Sequence, residues 1–119
     1  MKFWIGHLAK TAHKAVVFAQ LITKGVNYGV HIFIADIWEK STHEPMKGIE
    51  IGDCGLKLGC DGVDNGWMMF DNYWIPWKNL LNRYADVTKE GEYVSEVKSN
   101  MKRFALHLGA LSTGRHACA

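Results

Sequence analysis

His7 and His13 are the first side chains in the chain whose ordinary titration range suits proton transfer near neutral pH. Glu39, Glu44, Glu50, Glu90, Glu92 and Glu96 are further candidates for acid–base work. Cys54, Cys60 and Cys118 bring thiol chemistry. Cys54 and Cys60 stand too far apart for a CxxC pair, and no second Cys/His pair completes a zinc pattern, so no metal site is expected. An odd number of cysteines without a secretory signal reads as free thiols in a reducing compartment. The glycines Gly52, Gly55, Gly59, Gly62 and Gly66 match no GxGxxG fingerprint opening a helix, and they read as tight turns between short strands. Trp4, on sequence alone, is an ordinary core aromatic. Arg115 can direct several hydrogen bonds to carbonyl or phosphate oxygens, or can simply be an exposed helix arginine.

The elements that must position these residues are short. Lys14 to Ile22, KAVVFAQLI, is rich in β-branched and aromatic residues and is stopped by Thr23-Lys24-Gly25, which predicts a strand. The stretch TKGVNYG reads as a turn. Val30 to Ile37, VHIFIADI, is apolar on both faces apart from His31 and Asp36, which predicts a strand buried on both sides. A surface loop from Lys40 to Gly48 and a short strand at Ile49 to Ile51 follow. Trp67 to Ile75 reads as another strand, interrupted at Asp71-Asn72 and ended by Pro76. Thr88 to Lys98 is polar and irregular. From Ser99 the period changes: Met101, Phe104, Ala105, Leu108 and Leu111 recur at helical spacing, with Ser99 or Asn100 as cap. That helix has no stop signal before the last residue, so both ends look cut from something longer.

The bulk numbers fit one modest domain of 119 residues with 48% hydrophobic content and a formal charge of +2. Lysines and arginines are scattered, so no nucleic-acid footprint is expected. No apolar run approaches the roughly 20 residues needed to cross a bilayer, so no membrane insertion is expected. The first residues lack the apolar core and cleavage site of a signal peptide.

Three blocks resemble a known family. Lys2-Phe3-Trp4-Ile5-Gly6 through Gln20 is similar to a KWWxG segment followed by a Thr-and-His stretch and an apolar strand. Gly48 to Ser95 follows, almost position for position, a run of the form PGIxxGDxGxKxGxxxxDNGxxxFxxVRIPRxNLLNRxxDVxxxGxYVS. Lys102-Arg103-Phe104 through Ser112-Thr113-Gly114-Arg115 is similar to RFGxxLGxLSxGR. These are motifs of the peroxisomal acyl-CoA oxidases, and the last block is most similar to the branched-chain, pristanoyl type. The resemblance covers essentially the whole chain.

It implies a mainly β fold: the antiparallel β-barrel or sandwich of that family's middle domain, from about Trp4 to Leu81, followed by the opening of a C-terminal helix. Residues 1–97 would be the middle domain and 98–119 the start of the helical domain. The implied activity is FAD-dependent desaturation of acyl-CoA between the α and β carbons, with O₂ reoxidising the flavin to give hydrogen peroxide. Peroxisomal location and a homodimeric whole enzyme are implied with it.

By the same resemblance Trp4, Ile5 and Gly6 would contact FAD. Trp4 would pack beside the flat ring, and Gly6 would occupy the place where dehydrogenases of the fold carry a Thr or Ser near the flavin N5. Arg115 would line the acyl-CoA pocket, although Ser112 replaces the Asp that leads the corresponding dehydrogenase motif. No catalytic residue is expected here, because the family's base is a glutamate further downstream. His7, His13 and the glutamates fall where the family has no base. Tryptophans 38, 74 and 77 stand at usual arginine positions, which nothing in the sequence explains. The alternative reading is a non-catalytic truncated β-domain with no independent activity.

Overall fold

A computed structural model describes residues 1–8 and 10–117, the side chains of residues 110 and 111 excepted. The elements are β1 (Lys2–Gly6), β2 (Lys14–Thr23), β3 (Val26–Asp36), β4 (Ile49–Asp53), β5 (Asn65–Phe70), a 3-10 turn at Trp77–Asn79, β6 (Asp86–Val87), β7 (Tyr93–Val94) and α1 (Asn100–Ala117). The mainly β architecture with a C-terminal helix is as expected. The barrel is not: the strands form a three-stranded sheet in the order β1-β5-β4, a β2-β3 hairpin and a β6-β7 pair, each open at its edges. Barrel closure needs continuous pairing around a ring. Here β6 and β7 span two residues each, too little ladder to join one sheet to the next.

The chain divides into two compact units, Met1–Val16 with Ile34–Pro76, and Val17–Phe33 with the chain from Trp77 onward. In the first, β4 and β5 run antiparallel with Ile49 opposite Phe70 and Asp53 opposite Gly66. The core residues are Leu8, Ala15, Ala35, Ile37, Ile49 and Met68. The strand predicted from Trp67 begins two residues earlier and ends at Phe70, because Asn72 turns the chain into the left-handed region with φ 48°. Gly48 precedes β4 with φ +86°, and a Cβ there would stand 2.6 Å from the Asp71 carbonyl oxygen. Gly48→Ala therefore meets both backbone strain and an atom that cannot move aside. It is expected to destabilise the chain by about 2–3 kcal/mol, read as a lower urea midpoint at unchanged slope.

In the second unit the tip of the β2-β3 hairpin is a two-residue turn with Lys24 at φ 49° and Gly25 at φ 77°. Positive φ at both positions matches the right-handed twist of the flanking strands. The predicted turn TKGVNYG is thus only two residues long, and Val26–Gly29 extends β3. His31 and Ile32, consecutive on β3, are both buried, so the strand is covered on both faces as its composition predicts.

Ser99 caps α1. Its hydroxyl accepts from the Lys102 amide at 3.4 Å, and its carbonyl accepts from the Arg103 amide at 3.1 Å. The helical spacing of Met101, Phe104, Ala105 and Leu108 located this helix, but that face is not what it buries. Met101 and Phe104 are exposed, and among the described side chains of α1 the buried one is Arg103. The Leu111 side chain and Cys118 lie outside the described residues.

Candidate functional site

Trp4 owes its position to an irregularity in β1. Lys2 pairs with Met68 but Ile5 pairs with Gly66, so the register slips by one residue between them. The extra residue is absorbed by Trp4 at φ 62°. A β-bulge of this kind re-aims side chains, and a non-glycine residue in the left-handed region stores strain of about 1–3 kcal/mol. The outcome is two consecutive aromatics in solvent, Phe3 at 60% and Trp4 at 56% exposure, with ring centroids 6.1 Å apart. Trp4 is therefore not a core aromatic. Beside it Met1, Phe3, Trp67 and Met69 line a shallow apolar depression.

Ile5 is half-buried in the ladder opposite Gly66, and Gly6 pairs with Asn65. A Cβ built on Gly6 meets no atom within 4 Å, and its φ is not left-handed. Neither packing nor backbone geometry within the chain requires glycine there. Behind it the chain is held firmly: the His7 amide donates to the Asp64 carbonyl at 2.9 Å, and the Lys10 amide to Asp64 Oδ2 at 3.0 Å. The structure thus places Trp4, Ile5 and Gly6 on one strand of the first unit.

Arg115 lies exposed in the last turn of α1, in the second unit. His7 and His13 are exposed. Cys54 and Cys60 are unpaired thiols. Among the described residues no group of three or more His, Cys, Asp or Glu side chains is placed to hold a metal ion. No helix among the described residues is long and apolar enough to cross a membrane. Trp74 is 89% exposed, Trp77 is exposed and Trp38 is half-buried, bridged through its backbone to Pro45; nothing in the structure explains tryptophan at these positions.

Sequence reasoning missed a buried polar cluster in the second unit. Arg103 is 2% exposed. It donates to the Val97 carbonyl, to Asn100 Oδ1 and to the Tyr28 carbonyl, the last at 3.0 Å. Its guanidinium carbon lies 5.4 Å from the centre of the Tyr93 ring, which itself stacks on Tyr28 at 3.9 Å. His31 is 1% exposed, and its Nδ1 lies 3.1 Å from the Gly29 carbonyl. A carbonyl only accepts, so Nδ1 carries the proton, and Nε2 of the neutral ring accepts from the Tyr93 hydroxyl at 3.2 Å. His107 sits 6.5 Å from His31, centroid to centroid, with a buried Nε2 that has no partner. Burial, assisted by the Arg103 charge, lowers the pKa of both imidazoles. Nothing in the sequence pattern marked this cluster: Arg103 follows another cation, Lys102, and falls outside the apolar repeat.

No family model matches the chain. It is 50% identical over 115 residues to human peroxisomal acyl-coenzyme A oxidase 3, covering 96% of this chain and 16% of that protein. It is 46% identical over 114 residues to the putative peroxisomal acyl-coenzyme A oxidase 3.2 of Arabidopsis thaliana, covering 96% of this chain and 17% of that one. Among solved structures, Arabidopsis thaliana acyl-CoA oxidase 1 superposes with a TM-score of 0.76 at 43% identity, over 79% of this chain and 15% of that chain. Caenorhabditis elegans acyl-CoA oxidase-1 complexed with FAD and ATP gives 0.73 at 43% identity, over 77% of this chain and 14% of that chain. In sequence and in fold, the chain is a homologue of one segment of the acyl-CoA oxidases, spanning 16% of the length of the human protein it matches.

Proposed function

We propose that this chain is the flavin-facing β-segment of a peroxisomal, FAD-dependent acyl-CoA oxidase. The observation that carries the reading is the bulge in β1, which turns the Trp4 indole outward next to a glycine whose Cβ direction is open. These residues fit the isoalloxazine of FAD: a flat indole forms one wall, and the Gly6 peptide approaches a ring edge without a side chain between. Ile5 lies between them and offers its backbone to the same edge.

In the whole enzyme the reaction is desaturation of acyl-CoA to the trans-2-enoyl-CoA, with peroxide as the second product. Bound FAD supplies the hydride acceptor. This chain's residues position and shield; none of those assigned a role removes the α-proton. Arg115, at the exposed end of α1, offers directed donors for the carbonyl or phosphate oxygens of acyl-CoA. The domain division at 97/98 and the homodimeric whole enzyme belong to the same proposal.

The test is made with the segment grafted into an intact oxidase in place of its own. Trp4→Ala should weaken FAD retention about two- to ten-fold, because an aromatic contact of roughly 0.5–1.5 kcal/mol is lost. Gly6→Thr should place a hydroxyl at the ring edge and change the rate at which O₂ reoxidises the flavin. Unchanged FAD occupancy together with unchanged reoxidation would return both residues to ordinary strand positions and end the site assignment.

A further inference from the structure

We propose that the seating of α1 on the hairpin tip is a pH-sensitive latch, closed while His31 and His107 are neutral and released when they take up protons beside Arg103. The geometry carries this. Arg103 is a permanent cation, buried and bonded to the Val97 and Tyr28 carbonyls and to Asn100 Oδ1. It joins no ion pair among the described residues. The ionisable or charged groups facing the two imidazoles are Arg103 from α1, Tyr93 from β7 and Tyr84 from the segment before β6, whose ring lies 5.7 Å from His107. Tyr28 from β3 faces the same cluster through its stack on Tyr93. None of these supplies a negative charge at neutral pH.

A proton on His31 therefore creates a second buried cation, and a proton on half-buried His107 a cation whose Nε2 is shielded from water, with no counter-ion among the described residues. A proton on both creates three positive charges from β3 and α1 in one desolvated site. Separation of α1 from β3 and β7 is the motion that relieves the repulsion.

The sign follows from linkage. Both imidazoles titrate lower in the folded chain than free histidine, for which pKa is about 6.5. Above that value neither state binds the proton, and the seating is intact. As pH falls below it, the released state takes up protons that the seated state refuses, so seating weakens with acidification. The release equilibrium should rise by up to about ten-fold per pH unit for each imidazole taking part.

The test is urea unfolding of the full chain, followed at 222 nm between pH 5 and pH 8, with histidine Cε1–H resonances recorded by NMR across the same range. Wild type should lose stability below about pH 6.5, with proton uptake on unfolding that His107→Gln reduces. His107→Gln keeps the fold testable, since the imidazole Nε2 it replaces has no partner to lose. In the folded chain the His31 resonance should titrate below the free-histidine value. No proton uptake between pH 5 and 6.5, or uptake unchanged in His107→Gln with a His31 resonance titrating like free histidine, would overturn the latch.

Discussion

Replacing Arg103 by alanine is expected to cost about 3–5 kcal/mol and to unseat α1. Arg103 is the largest fully buried side chain among the described residues. It is donor to acceptors from three separate stretches of the second unit: Tyr28 in β3, Val97 in the connection and Asn100 at the helix start. Its removal takes a donor from the Tyr28 carbonyl and one of two donors from the Val97 carbonyl, which keeps the Ser95 hydroxyl, and it leaves a void beside Tyr93. Arg103→Lys should recover only part of the loss, because one ammonium cannot reproduce a planar fork that spans these acceptors. Met101→Ala on the same helix, where the side chain is 81% exposed, should change stability by less than about 0.5 kcal/mol. The measurement is urea unfolding at pH 7.5 by circular dichroism, where helical signal in Arg103→Ala should disappear at lower denaturant than in wild type. Equal effects of Arg103→Ala and Met101→Ala would remove the arginine from its proposed structural role.

The second large effect lies in the first unit. Ile37→Ala should destabilise the chain by about 3–4 kcal/mol, in the upper part of the range for buried isoleucine. Ile37 is 0% exposed. Its amide donates to the His13 carbonyl at 3.1 Å, and its carbonyl accepts from the Met46 amide at 3.0 Å. With the backbone pinned on both sides, the void left by alanine cannot collapse, and void volume sets the cost. Ile37→Val should cost only about 0.5–1.5 kcal/mol. The ratio between the two variants, taken from urea midpoints, separates a rigid core position from one that relaxes.

Periodicity located β2, the buried part of β3, β4 and α1, because in those stretches side-chain pattern and backbone geometry agree. It failed where one residue changes the local geometry. The end of β5 depends on Asn72 entering the left-handed region, and the shortness of the hairpin turn depends on Lys24 doing the same. Most non-glycine residues resist that conformation, so a pattern of apolar residues carries no trace of it. The barrel was an inference from family likeness, and strand counts in a sequence say nothing about which edges pair. The site was legible in part: the resemblance pointed to Trp4, Ile5 and Gly6, and the geometry adds why Trp4 faces outward. The histidine–arginine cluster was illegible because its members come from β3 and α1, brought together only by tertiary packing. Arg103, 2% exposed, is of a residue type that composition rules place at the surface.

The bulge in β1 bears on solubility as well as on the site. In the three-stranded sheet β1 is an edge strand, paired with β5. Its sequence, Lys-Phe-Trp-Ile-Gly, combines aromatic and β-branched residues in a short run, the composition that adds most readily to a growing cross-β stack. Such stacking needs an uninterrupted row of outward amides and carbonyls at regular spacing. The one-residue slip between Lys2 and Ile5, with Trp4 twisted into the left-handed region, breaks that row in the middle of the strand. An incoming strand can match the ladder on one side of Trp4 or on the other, but not on both. The same irregularity that turns an indole outward also denies an uninterrupted docking template to a second edge.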